Sequence, residues 1–522
     1  MPLRLPTTTP VPTGPATRSA TRFVLGLVAA ATLSISLPAC SHRPAWAGEG
    51  GAPLPPGWSG EPVQRWPGPS SPEPLWGVPA FVPPSATHCA GPARLREQPG
   101  RVEPQQGLGF LRPAPALADT ARRAEVGPGG STAVGAAAPA APLSSAKAAA
   151  EESRNVAMPA PQAVQRQAPM QEIVSAGMVD DNADFGEYQA FRRRSAQLSP
   201  RDRDSSERYR VEVRDASGRP AVDAEVALSW PGARGSLRFA RTDGAGRVWL
   251  MPRLLLAPEV VEPLQAMEVQ VRARSGEVVR APLQRGQKSA VQLQLRQRAE
   301  APGRAALDLV FLVDATGSMA DEIHKLRDSL RTIANRVGAL PSQPDLCFGL
   351  VAYRDQGDAF LTRTHDLTND LGSFQQTLNR LQAGGGGDYP EALNEALDET
   401  VHRVSWRGAG TSRLVVLVAD APPHLDRGGP FYDQAAAAAL ARGIKLHAVG
   451  ASGLDAQGEV VFRQLAQSTG GRFVFLTYRD ARRPDSGPGR DTLHDVHDYS
   501  VDTLDELIVR LVRDELATRE KM

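Results

Sequence analysis

The chain predicts an α/β fold. A doubly wound, mostly parallel sheet sits in its C-terminal part, preceded by a small all-β sandwich and a disordered N-terminal tether. Three observations carry this expectation. Leu307–Val313, broken only by Asp308, and Leu414–Ala419 are apolar runs, as expected of strands buried on both faces of a parallel sheet. Helical patterns alternate with such runs through residues 305–522. Residues 41–170 are instead rich in Pro, Ala and Gly and lack periodic apolar stretches.

The full chain has 522 residues, room for two or three domains, and a formal net charge of +1, which gives no reason to expect nucleic-acid binding. Its three cysteines, Cys40, Cys89 and Cys347, are too few for a disulfide scaffold, and no Cys-x-x-Cys pair suggests zinc. Cys347 lies in an apolar run and reads most simply as a buried free thiol, with a Cys89–Cys347 bridge as the alternative.

Residues 1–39 read as an export signal. Arg4, Arg18 and Arg22 precede the apolar run Phe23–Leu37, and the first acidic residue is Glu49. That run is short for a membrane span and right for a signal-peptide core. Leu37-Pro38-Ala39-Cys40 resembles a bacterial lipobox, which would make Cys40 the lipidated first residue of the mature protein. Ala45-Trp46-Ala47 offers ordinary signal cleavage instead. Cys40 directly follows the apolar core, which favours lipidation and membrane attachment through an N-terminal lipid. Ser41 in the next position resembles lipoproteins sent to an outer membrane, on its periplasmic or surface face.

Residues 40–170 cannot bury enough apolar surface to offset their ordering entropy and are expected to form a flexible tether. Within 171–208, Asp180, Asp181 and Asp184 precede Phe185, Tyr188 and Phe191 at helical spacing, so an acidic-capped helix is expected. Residues 209–296 alternate apolar and polar positions between turn signals such as Asp215-Ala-Ser-Gly218 and Asp243-Gly-Ala-Gly246, which predicts a small sandwich. The arrangement resembles carboxypeptidase-regulatory-like, transthyretin-like modules, which implies a spacer or a support for a neighbouring domain.

From residue 305 the expected elements are a strand to Val313, a helix over Asp321–Leu340, and a strand over Leu346–Tyr353. Helices over Leu371–Leu381 and Pro390–Val404 follow, then a strand over Leu414–Ala419 and a helix over 434–442. A strand over Ile444–Gly450, a helix over Val460–Thr469, a strand over Arg472–Leu476 and a helix over Val501–Leu516 close the domain. Arg479–Asp498, polar and broken by Gly and Pro, reads as a flexible loop. In such sheets ligands bind beyond the carboxyl ends of the central strands.

One such end carries the main chemical signal. The first apolar strand runs into Asp314, Thr316 and Ser318 at alternate positions, and a hard divalent cation wants oxygen ligands of this kind. Two further stretches follow. Gly384–Gly387 leads into Asp388-Tyr389-Pro390-Glu391, and the strand over Leu414–Ala419 ends in Asp420. Other readings of these residues are helix capping by Ser318 and Asp321, a capping box of Asp388 and Glu391, and a turn role for Asp420 before Pro422.

Together the three stretches resemble the metal-ion-dependent adhesion site of von Willebrand factor type A (vWA) domains. That family's first motif is Asp-x-Ser-x-Ser, with Thr316 replacing the first Ser here. Its third motif usually offers Thr, and this chain resembles a branch with Gly-Gly-x-Asp-x-Pro-Glu. The resemblance implies metal ligation by Asp314, Thr316, Ser318, Asp388 and Asp420 of Mg²⁺, or of Mn²⁺ or Ca²⁺. It implies a protein partner whose acidic side chain completes the metal shell, hence adhesion, scaffolding or assembly, which the export signal would place at the cell envelope. An enzyme is not expected, since the sequence offers no activating base beside the metal. Two rival readings are a purely structural metal and a metal-assisted hydrolase. Three carboxylates around one ion can satisfy it without a partner, so a water between Asp388 and the metal would keep the site open. His424, His494 and His497 read as surface or hydrogen-bonding residues.

Overall fold

The computed structural model describes residues 89–100 and 173–520, apart from 199–200, 232–236, 257–260, 262–263, 287–289, 299–303 and 409. The expected export signal, the lipidation site Cys40 and most of the expected tether lie outside the described residues.

A nine-stranded mixed sheet organises the larger domain. Five parallel strands form its centre: β10 (Ala306–Asp314), β11 (Asp345–Tyr353), β13 (Ser412–Ala419), β14 (Ile444–Gly450) and β15 (Phe473–Leu476), in the spatial order β11-β10-β13-β14-β15. Antiparallel strands extend both flanks. On one side β12 (Thr362–Thr368) pairs with β11, and β1 (Leu95–Gln98) pairs with β12. On the other, β2 (Ser175–Val179) lies between β15 and β16 (Ser500–Thr503).

Alternate residues of β10 feed two separate cores. Leu307, Leu309, Phe311 and Val313 pack with helices Ala320–Gly338, Leu371–Arg380 and Leu504–Glu520. Val310 and Leu312 face helices Leu393–Arg403, Tyr432–Arg442 and Ala456–Thr469. Both faces of the central strands are thus buried, which is why those strands read as apolar runs, interrupted in β10 only by Asp308. None of the described helices is long and apolar enough to cross a membrane.

Two smaller sheets precede this domain. β3 (Tyr209–Arg214) lies between β6 (Arg247–Leu250) and β9 (Ala290–Gln294). β4 (Glu225–Ser229), β5 (Leu237–Arg241), β7 (Ala266–Arg272) and β8 (Val278–Gln284) form an antiparallel four-stranded sheet in the order β5-β4-β7-β8. Val211, Val213 and Leu250 of the first sheet share one core with Val226, Leu228, Val269 and Val271 of the second. Buried ion pairs join the two domains. Asp223 accepts hydrogen bonds from Arg241 at 2.5 Å, from Arg413 at 3.0 Å and from the Gly410 amide at 2.7 Å.

The structure corrects four expectations. Residues 89–100, expected within the tether, fold onto the sheet edge as β1, where they satisfy backbone groups of β12. Arg96 fixes the strand by donating to Asp366 at 2.6 Å and to Glu399 at 3.2 Å. Cys347 is not a free thiol but is bonded to Cys89, with Cα atoms 6.2 Å apart, inside the range a disulfide spans. The segment 171–208 contains the expected helix, Phe185–Arg194 with Asp184 as N-cap, but also contributes β2. Gly177 allows that pairing, since a Cβ there would meet the Phe475 ring at 2.4 Å. Finally, 479–498 folds back on the sheet. His494 stands edge-on to Phe473 and Phe475, with ring centroids 5.4 and 5.6 Å away, and its Nδ1 lies 3.2 Å from Glu459.

Candidate metal centre

The three sequence stretches meet at the carboxyl ends of β10 and β13. Asp314 ends β10 and is fully buried. Its Oδ1 accepts the Thr316 amide at 2.9 Å and the Thr316 hydroxyl at 2.7 Å, and Thr316 Oγ1 lies 3.0 Å from Ser318 Oγ. Thr316 is buried, whereas Ser318 is exposed. Asp420 follows β13 and is buried.

The glycine loop is clipped to this turn. Gly384 N donates to Ala315 O and Gly317 N to Gly385 O, both at 3.0 Å. Asp358 Oδ2 accepts the Gly386 amide at 2.8 Å and the Asp355 amide at 3.0 Å. Gly385 has φ +75°, and a Cβ there would sit 2.3 Å from Asp358 Oδ1, so both the conformation and the space require glycine.

The capping alternatives do not form. The helix after Ser318 has Met319 as its N-cap, and the helix after Glu391 has Ala392, in both cases without a side-chain cap bond. Glu391 turns inward and is only 4 % exposed. Its amide donates to Pro422 O at 3.1 Å, and its carbonyl accepts the His424 amide at 3.3 Å.

Asp388 is placed differently. Its side chain is 58 % exposed, and its Oδ2 accepts from Arg427 at 3.0 Å. Arg427 also reaches Asp355 at 3.4 Å, and Asp355 Oδ1 lies 3.0 Å from His424 Nε2. Asp355 and His424 are buried, and ligand atoms of Asp355, Asp388 and His424 lie within 4.8 Å of one another. Of the five residues expected around one ion, Asp314, Thr316 and Ser318 share one hydrogen-bonded turn, and Asp420 follows the neighbouring strand. Asp388 faces a neighbouring cluster that the sequence reading did not assemble.

Electrostatics marks the site as short of positive charge. Burial pushes Asp314 up to about 7, with the Asp420 charge adding to the shift. Burial also raises Asp420, partly offset by the Ser318 hydroxyl. Glu391 is pushed up to about 9 by burial and then by Asp314, Asp355, Asp358 and Asp388. Among the described residues, four buried carboxylate oxygens have no hydrogen-bond partner: Asp314 Oδ2, Asp420 Oδ1 and Glu391 Oε2 here, and Glu395 Oε2. A buried oxygen of this kind is costly unless paired. Hard oxygens on a rigid turn, with an exposed hydroxyl at the mouth, fit a small divalent cation.

A family model for the von Willebrand factor type A domain matches residues 308–481. That stretch is a vWA domain. Domains of this type are generally protein-binding adhesion modules and often bind divalent cations. The matched region covers β10 through β15 and so contains both Asp314 and Asp420.

Similarity to curated proteins is confined to short stretches. The chain is 31 % identical over 121 residues to a putative ariadne-like RING finger protein of Acanthamoeba polyphaga mimivirus, covering 23 % of this chain and 12 % of that one. It is 32 % identical over 120 residues to the alpha-protein kinase vwkA of Dictyostelium discoideum, covering 23 % and 19 %. It is 37 % identical over 93 residues to the von Willebrand factor A domain-containing protein 7 of Mus musculus, covering 18 % and 10 %. The chain thus spans 12 %, 19 % and 10 % of the lengths of these relatives. Among solved structures, the proximal thread matrix protein 1 of the mussel byssus aligns at TM-score 0.26 and 14 % identity, covering 31 % of this chain and 40 % of that one.

Proposed function

We propose that the vWA domain binds a divalent cation, Mg²⁺ or Mn²⁺, through Asp314, Thr316, Ser318 and Asp420, and through that cation an acidic side chain of a protein partner. The observation that carries this reading is the pair of unpartnered buried oxygens, Asp314 Oδ2 and Asp420 Oδ1, on adjacent strand ends beside the exposed Ser318 hydroxyl. The ion would neutralise those oxygens and draw a further carboxylate. This chain's own residues orient it. The Thr316 hydroxyl and amide hold Asp314 Oδ1 and so turn Oδ2 toward the ion.

The same reading makes the protein a binding module rather than an enzyme. It acts outside the cytoplasm, at a bacterial cell envelope, anchored by lipid at Cys40. The Cys89–Cys347 disulfide supports export, because such bonds persist in oxidising compartments. The two small sheets, in this reading a carboxypeptidase-regulatory-like module, serve as a support. Asp223 of that module and Arg413 of the vWA domain form a buried pair that holds the two together.

The test is partner capture by the full chain in Mg²⁺, repeated with chelator and with Asp314→Ala. Capture lost in both supports the proposal. A structural metal, favoured by the number of buried carboxylates, predicts melting that chelator shifts while binding stays unchanged. Turnover abolished by Asp314→Ala would revive an enzyme. Mass spectrometry of the mature amino terminus decides between Cys40 lipidation and ordinary cleavage.

A further inference from the structure

Beside the proposed ion, the structure gathers a second set of ligands. Asp355 lies at the start of the loop after β11, Asp388 ends the glycine loop, and His424 follows Asp420 by four residues. Three separate segments therefore bring two carboxylates and an imidazole within 4.8 Å of one another. Asp355 is 2 % exposed and His424 4 % exposed, so the inner part of the set is built into the fold.

A further buried carboxylate is joined to this set through its backbone. Glu391, also 4 % exposed, has no hydrogen bond at Oε2. Its carboxylate lies against the glycine loop on the side of the first site: a Cβ at Gly386 would sit 3.0 Å from Glu391 Oε1 and 3.2 Å from Thr316 Cβ. Its backbone is bonded to that of His424, which fixes the two side by side. Asp358 is already occupied by the Gly386 and Asp355 amides. Glu391 is thus a buried carboxylate between the two ligand sets, with an oxygen to spare.

We infer that Asp355, Asp388 and His424, with Glu391 between them and Asp314, form a second divalent-cation site adjacent to the first. An imidazole among the ligands suits Mn²⁺ or Zn²⁺ better than Mg²⁺. Arg427 stands at this set as a tethered positive charge, bonded to Asp388 at 3.0 Å and to Asp355 at 3.4 Å. Its side chain is 33 % exposed and that of Asp388 is 58 % exposed, so this is a weak ion pair that a divalent ion displaces. Arg427 sets the threshold of the second site by competing for its two aspartates.

The inference rests on the first site in one respect, that Glu391 lies between the two. The test separates them by counting ions. The full chain is dialysed against Mn²⁺, and in parallel against Zn²⁺, and bound metal is measured per chain by mass spectrometry. Two ions per chain are expected, falling to one in Asp314→Asn and to one in His424→Gln. Arg427→Gln removes a competitor but no ligand, and should tighten the second site about tenfold. Asp388→Asn, at an exposed position, should weaken it without loss of fold. One ion in the native chain and none in Asp314→Asn would overturn the second site and leave the first standing. One ion that survives Asp314→Asn and is lost in His424→Gln would do the reverse. No bound ion in the native chain would overturn both.

Discussion

Arg407 Nε donates to Asp308 Oδ1 at 2.6 Å inside the sheet, with Asp308 fully buried and Arg407 only 5 % exposed. The Arg407 amide donates to the other Asp308 oxygen at 2.7 Å, and the guanidinium also reaches Leu307 O and Asp345. One side chain thereby ties the starts of β10 and β11 at the end of the sheet opposite the ligand cluster. Removing either partner leaves a buried charge alone. Arg407→Ala or Asp308→Ala should each destabilise the fold by about 3–5 kcal/mol. A double change to well-packed apolar residues, Asp308→Leu with Arg407→Met, should cost less than either. Urea unfolding checks the order; a double variant weaker than both singles would contradict it.

The disulfide makes a separate prediction. Cys89 and Cys347 are 258 residues apart, and the bond holds the end of the strap that carries β1. Cys89→Ser with Cys347→Ala should lower stability by about 2–4 kcal/mol. It should also expose residues 89–100 to limited proteolysis while the vWA core stays intact. A reductant should reproduce both effects in the native chain. An unchanged melting temperature after complete reduction would show that hydrogen bonding and the Arg96 ion pairs alone hold the strap.

The crowded carboxylates predict a pH dependence for the cation-free protein. Asp314 is raised to about 7 and Glu391 to about 9, burial being the first cause in each. The folded state therefore holds these protons more tightly than the unfolded state, whose values stay near those of ordinary carboxylates. The contribution of these two groups is fully present below about pH 4, where ordinary carboxylates titrate, and is lost as pH rises through about 7 and then about 9. Melting in chelator should thus fall progressively from about pH 5 to about pH 9. Saturating Mg²⁺ should remove most of that slope, because the ion replaces the protons. A flat profile in chelator would sink the account.

Much of this architecture was legible in local pattern. Leu307–Val313 is apolar at every position except Asp308, and the structure buries every one of them. Asp308 was the exception that needed Arg407, a residue 99 positions away, to explain it. The flanking strands were less visible. Leu95–Gln98 has an almost wholly exposed burial pattern, and Ser175–Val179 carries a central glycine, so neither shows the alternation that marks a strand. Both are strands because a neighbouring edge offers backbone partners.

The sequence by itself determined that an Asp-x-Thr-x-Ser turn follows a buried strand, and that two more acidic motifs end later elements. Those features follow from spacing along the chain and from the short-range needs of strand and turn. Only the tertiary structure decided which carboxylates face one another. Asp388 and Glu391 are three residues apart in one motif, yet Asp388 points outward to Arg427 while Glu391 is buried against the glycine loop. Their separation depends on Asp358 holding the glycine loop and on Pro422 holding the Glu391 backbone. Those contacts join segments 28 and 31 residues apart, and no local pattern encodes the charge that one buried carboxylate feels from another.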